Sequence, residues 1–202
     1  MKHVFKKGKN VDSPTLLLLH GTGGDERDLL PLAGLIDPEA AVLSPRGNVL
    51  ESGMPRFFKR LAEGIFDEED LIFRTQELMN FIHEASITYG LDRNNIIAVG
   101  YSNGANIASS LLFHHKDALR GAILCHPMVP RRGVELPSLS GIPVFITAGT
   151  NDSICPKEES LELQQLLQNA GAEVKLHWEH RGHQLTRAEV EAAAHWYRSV
   201  FK

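Results

Sequence analysis

Short apolar runs alternate along this chain with longer stretches in which apolar residues recur at every third or fourth position. Residues 15–19, 41–43, 96–99, 122–125 and 144–147 show no period-two alternation. That pattern predicts strands covered on both faces, as in a parallel sheet. Residues 173–180 read differently, because Val174, Leu176 and Trp178 alternate with Lys175, His177 and Glu179. This is the signature of a half-covered strand near a sheet edge. Helical spacing marks residues 70–89, where Leu71, Leu78, Phe81, Ile82 and Ala85 share a face and Gly90 gives a stop. It also marks 103–115, 157–169 and 186–201, the last opening with Thr186 and Glu189 in capping-box register. Alternating strands and helices predict right-handed crossovers and an open, mostly parallel sheet with helices on both faces. Ligands in such sheets bind beyond the carboxyl ends of the strands, so the chemistry belongs there.

Composition narrows the function classes. The 202 residues are 43% hydrophobic and 23% charged, an ordinary globular mix that fits one domain. A net charge of −4 and a pI near 6.2 supply no basic field for nucleic acid. The longest apolar run, residues 16–19, is far short of the roughly 20 residues of a membrane span, so no membrane insertion is expected. No apolar stretch follows the basic MKHVFKKGKN, so no secretory signal is expected either. Cys125 and Cys155 have no metal-clip spacing. The expectation is a cytoplasmic enzyme or binding domain with free thiols, a monomer or homodimer.

The segments just past the strands read His20-Gly-Thr-Gly-Gly, Ser44-Pro-Arg-Gly, Gly100-Tyr-Ser-Asn-Gly, Cys125-His-Pro, Gly149-Thr-Asn-Asp and Arg181-Gly-His. Gly100 to Gly104 matches G-x-S-x-G between a strand and a helix, the setting of a nucleophile on a sharp turn. Ser102 is therefore the candidate nucleophile. A serine hydroxyl needs a base, and among ten histidines His183 follows the final strand with Gly182 freeing its turn. His180, three residues earlier, is its rival. A carboxylate must orient the base, and Asp152 sits past the strand at 144–147. A helix-capping role for Asp152 is the alternative, although Pro156 is better placed to start that helix. The glycines around Thr22 let backbone N–H groups converge on an oxygen, and neither phosphate-loop pattern is present. Thr22 N–H and Asn103 N–H are the candidate oxyanion-hole donors.

With these motifs the sequence resembles the α/β-hydrolase superfamily, and within it the small bacterial carboxylesterase/phospholipase family related to acyl-protein thioesterases. The resemblance spans essentially the whole chain, and the order Ser, Asp, His is that superfamily's order. It implies a single α/β-hydrolase domain over residues 1–202, with a mostly parallel sheet of about seven strands. It implies Ser102 as nucleophile, His183 as base and Asp152 as orienting acid, with no cofactor and no metal. One departure is Asn103, where the thioesterase branch usually has glutamine. The implied activity is hydrolysis of short- to medium-chain carboxylic esters through an acyl-enzyme. The alternatives are an acyl thioesterase or lysophospholipase-type hydrolase, or a silent hydrolase fold that only binds its ligand.

Residues 48–67 lack clear periodicity and carry Met54, Phe57 and Phe58. They read either as a non-core loop lining an acyl pocket or as core packing. Met128 and Ile154, just past strand ends, are further pocket candidates. His126 and Arg46 fall in the same positions, Arg46 as a tie between loops. Arg56, Lys59 and Arg60 read as solvated charges.

Overall fold

The computed structural model describes residues 1–10 and 12–202. Seven strands form one sheet in the order β1 (His3–Lys6), β3 (Val42–Pro45), β2 (Thr15–Leu19), β8 (Ile96–Tyr101), β9 (Gly121–Cys125), β10 (Pro143–Gly149) and β11 (Glu173–Glu179). Only β1 runs antiparallel, paired with β3; every other pair is parallel. The wholly apolar runs are the central strands, as their lack of alternation predicts. In β2, Leu17 and Leu19 enter one core with helices α2 (Glu68–Tyr89), α3 (Asn103–His114) and α4 (Lys157–Asn169). Leu16 and Leu18 enter the other, with α1 (Leu30–Ile36) and α5 (Arg187–Phe201). β11 lies at the edge and is only partly buried, as its alternation predicts.

Local signals set the element ends. Gly90 takes φ +66 to close α2, a left-handed conformation that costs glycine nothing. The capping box at Thr186 and Glu189 opens α5. Two elements lack a readable pattern: β1 is four residues of a lightly buried edge, and α1 spans two turns interrupted by Gly34.

The aperiodic stretch is not a plain loop, although most of it lies outside the core and Arg56, Arg60, Glu63, Gly64 and Phe66 line an open cleft. It folds as two small hairpins, β4 (Val49–Glu51) with β5 (Met54–Arg56), and β6 (Arg60–Ala62) with β7 (Ile65–Phe66). Phe57 and Phe58, between the hairpins, are fully buried among the core side chains. Each hairpin is too short for an alternation to be read from sequence.

Candidate active site

Strand β8 ends in Gly100-Tyr101, and α3 begins one residue after Ser102. To make that turn Ser102 adopts φ +52, a left-handed backbone uncommon for a side-chain-bearing residue. Strain of this kind persists only where surrounding packing over-determines it, and here two glycines allow the packing. A Cβ on Gly100 would stand 2.6 Å from the Gly104 carbonyl oxygen. The serine is thereby held above the sheet edge at the positive end of α3.

His183 and Asp152 arrive from two other strand ends. His183 lies between β11 and α5, and its Nε2 is 2.8 Å from Ser102 Oγ. Its Nδ1 is 2.8 Å from Asp152 Oδ2. Tyr101, beside the serine, donates its hydroxyl to the His183 carbonyl at 2.8 Å and so fixes the loop that carries the imidazole. Burial pushes the Tyr101 phenol up to about 12, so it stays a donor. His180 is turned elsewhere, with Nδ1 at 3.0 Å from Thr150 Oγ1. Asp152 does not cap α4, whose N-cap is Pro156. Its Oδ1 instead accepts the Ile154 and Cys155 N–H groups, both at 2.9 Å.

Burial by itself would raise the Asp152 carboxyl. Hydrogen bonds from Cys155 N–H, His183, His126 and Ile154 N–H outweigh it and hold the acid below its ordinary value. The sequence marked His126 only as a residue just past a strand end, yet its Nδ1 lies 2.9 Å from the same Oδ2 that meets His183. His126, Asp152 and His183 place ligand-type atoms within 4.8 Å of one another. All four ring nitrogens are nonetheless engaged by Ser102, Asp152 or Glu189, so the group reads as a mutual bonding network.

Thr22 and Asn103 flank the serine in one open cleft of about 370 Å³, and neither backbone N–H is spent on another hydrogen bond among the described residues. The loop before Thr22 is braced by His20, whose Nδ1 donates to the Gly21 carbonyl at 2.7 Å. Its Nε2 accepts the Gly47 N–H at 3.0 Å. Arg46 ties this region to Glu26 and Asp25 rather than entering the cleft.

Of the pocket candidates, Met128 and Ile154 line the cleft. Phe57 and Phe58 do not, because both are consumed by the core. Met54 sits 41% exposed beside Gly23, outside the cleft lining. Arg56 is not a solvated charge: it is 3% exposed, and its Nη1 donates to Thr22 Oγ1 at 2.6 Å. Arg60 also lines the cleft, its Nε shared between the two Glu51 oxygens at 2.8 and 3.1 Å. Cys155 is buried at the cleft floor, and desolvation raises its thiol far above the range in which a thiolate forms.

The family model described as phospholipase/carboxylesterase matches residues 2–200. The chain is 60% identical over 200 residues to the Bacillus subtilis (strain 168) protein named as the hydrolase MhqD, covering 99% of each. Among solved structures, the Bacillus cereus carboxylesterase aligns at TM-score 0.98 and 68% identity, over 99% of this chain and 94% of that one. The structure of YahD with malic acid aligns at TM-score 0.94 and 35% identity, over 98% of each chain.

Proposed function

This chain belongs to the phospholipase/carboxylesterase family of α/β-hydrolases, and from that premise we propose that it is a serine esterase acting on small carboxylic esters. The observation that carries the reading is the contact of His183 Nε2 with Ser102 Oγ, with Asp152 behind the imidazole. His183 takes the serine proton as Oγ attacks the carbonyl carbon. Thr22 N–H and Asn103 N–H receive the oxyanion. His183 returns the proton to the leaving alcohol, and water then releases the acid by the same path.

The cleft supports a short to medium acyl group rather than a long fatty chain. Two guanidinium groups, Arg56 and Arg60, stand on its wall beside Glu51, which favours an ester that also carries a carboxylate. The YahD structure contains malic acid, a small dicarboxylic acid. Ser102→Ala should lower p-nitrophenyl ester turnover by at least about 10³-fold. A fluorophosphonate probe should label Ser102 in the parent protein. Full turnover in the variant rejects the reading, and an unlabelled, inactive parent points to a fold used only for binding. The geometry also permits attack on thioesters, and matched oxygen and sulfur esters over an acyl series rank the two activities.

A further inference from the structure

The residues behind Asp152 form a chain that ester hydrolysis by a serine, a histidine and one acid does not require. Asp152 Oδ2 meets two imidazoles, His183 at 2.8 Å and His126 at 2.9 Å. The far nitrogen of His126, Nε2, is 2.9 Å from Glu189 Oε1, an ion-pair contact off the axis of an aligned hydrogen bond. The side chains of Asp152, His126 and Glu189 are all fully buried. His126 reaches this place at a cost to its backbone, with φ +53, while its N–H pairs with Thr147 O at 2.8 Å and extends the β9–β10 ladder. Its carbonyl accepts the Cys155 thiol. Glu189 meanwhile keeps its second oxygen on the Thr186 N–H at 2.8 Å, as the third residue of the α5 capping box.

Building on the proposed triad, we infer that His126 and Glu189 are positioning residues for the hydrolysis. A protonated His126, clamped between two carboxylates, fixes the oxygen of Asp152 that orients His183. Charge balance supports the protonated form. With His126 charged, the three buried groups sum to one negative charge, the same as a lone aspartate. With it neutral, two uncompensated carboxylates would share one dry site. Burial lowers the imidazole's affinity for a proton, but Glu189 and then Asp152 reverse this and lift it above the ordinary value. Besides those carboxylates, the charged or titratable groups around His126 are the His183 ring at 5.3 Å, the Tyr101 ring at 6.0 Å and the Cys155 thiol. Packing alone does not account for three desolvated ionisable groups, since apolar residues of similar volume fill such a space at no loss of stability. The arrangement also ties the start of α5 to the acid, because Glu189 both opens that helix and faces His126.

Two single variants test this with p-nitrophenyl acetate. Glu189→Gln keeps an oxygen for the Thr186 N–H, so the helix cap survives while the charge facing His126 is removed. Its kcat should fall about 10-fold with KM little changed. His126→Gln removes the cation, which leaves the carboxylates free to hold a proton on His183. The acid limb of its kcat/KM profile should therefore move up by roughly one pH unit. The double variant should be no worse than the poorer single one, because the residues act as a unit. A Glu189→Gln enzyme with parental kcat, or a His126→Gln profile that superimposes on the parent's, overturns the inference. If His126→Gln does not fold, Glu189→Gln decides alone. A parent enzyme without esterase activity or fluorophosphonate labelling sinks the triad reading first, which separates the two failures.

Discussion

The carbonyl oxygen of Leu19 lies only 1.9 Å from where a Cβ on Gly104 would stand. Leu19 ends β2, which leads into the Thr22 loop, and Gly104 is the second residue of α3, two positions past Ser102. The two halves of the site are therefore set by one backbone approach that only glycine permits.

Gly104→Ala should accordingly cost about 3 kcal/mol or more, since the obstructing atom is backbone in a buried strand and cannot step aside. Denaturant titration measures this, and a variant within half a kcal/mol of the parent would show that α3 can shift without penalty.

Asp152→Asn should keep the fold, because the side-chain oxygen can still accept from Ile154 N–H and Cys155 N–H. Turnover should nonetheless fall by roughly 10³–10⁴-fold, as the amide no longer fixes the imidazole tautomer or balances its charge. If steady-state kinetics show less than a tenfold loss, another acid orients His183.

Arg60 bonds Glu51 through Nε and turns toward the cleft. Arg60→Gln should raise KM about 5–10-fold for an ester bearing a free carboxylate, such as a half-ester of a diacid, and leave neutral esters unchanged. Equal effects on both substrates would assign Arg60 to the hairpin rather than to specificity.

His20 is buried and lends one nitrogen as donor and the other as acceptor, which only the neutral ring can do. Burial holds it below its ordinary value of 6.5. The unfolded chain then binds a proton the folded one refuses, so this stabilisation is complete above the unfolded value and fades as pH falls beneath it. His126 works oppositely: its raised value stabilises below 6.5 and is lost as pH climbs. Comparing parent with His20→Gln isolates the first effect. Their difference in unfolding free energy should be larger at about pH 7.5 than at about pH 5.5. A constant difference would mean that His20 is not neutral in the folded state.

The sheet was readable from the chain because burial on both faces leaves a local mark: β2, β8, β9 and β10 are each short, mostly apolar runs without alternation. Ser102, Asp152 and His183 stood out for the same reason, each a chemically capable residue just past a strand end. What the pattern could not carry was the use of side chains whose partners come from far away in sequence. Arg56 looks like a surface charge until Glu51, the Phe58 carbonyl and Thr22 from a distant loop enclose it. Phe57 and Phe58 look like pocket walls until α2 and α3 close over them. Glu189 is a helix cap by local register, and only the packing of α5 against β10 and β11 turns its other oxygen toward His126.

The sequence by itself determined the order of the central strands and the longer helices between them, the strand ends at which reactive residues gather, and the glycines the serine turn demands. All of these depend on neighbours a few positions apart, where spacing stands in for geometry. The tertiary structure alone decided between His183 and its rival His180, that a second histidine shares the same carboxylate, and which apolar side chains line the cleft. Those outcomes follow from distances of a few ångströms between residues up to 81 positions apart, and no periodicity along the chain encodes them.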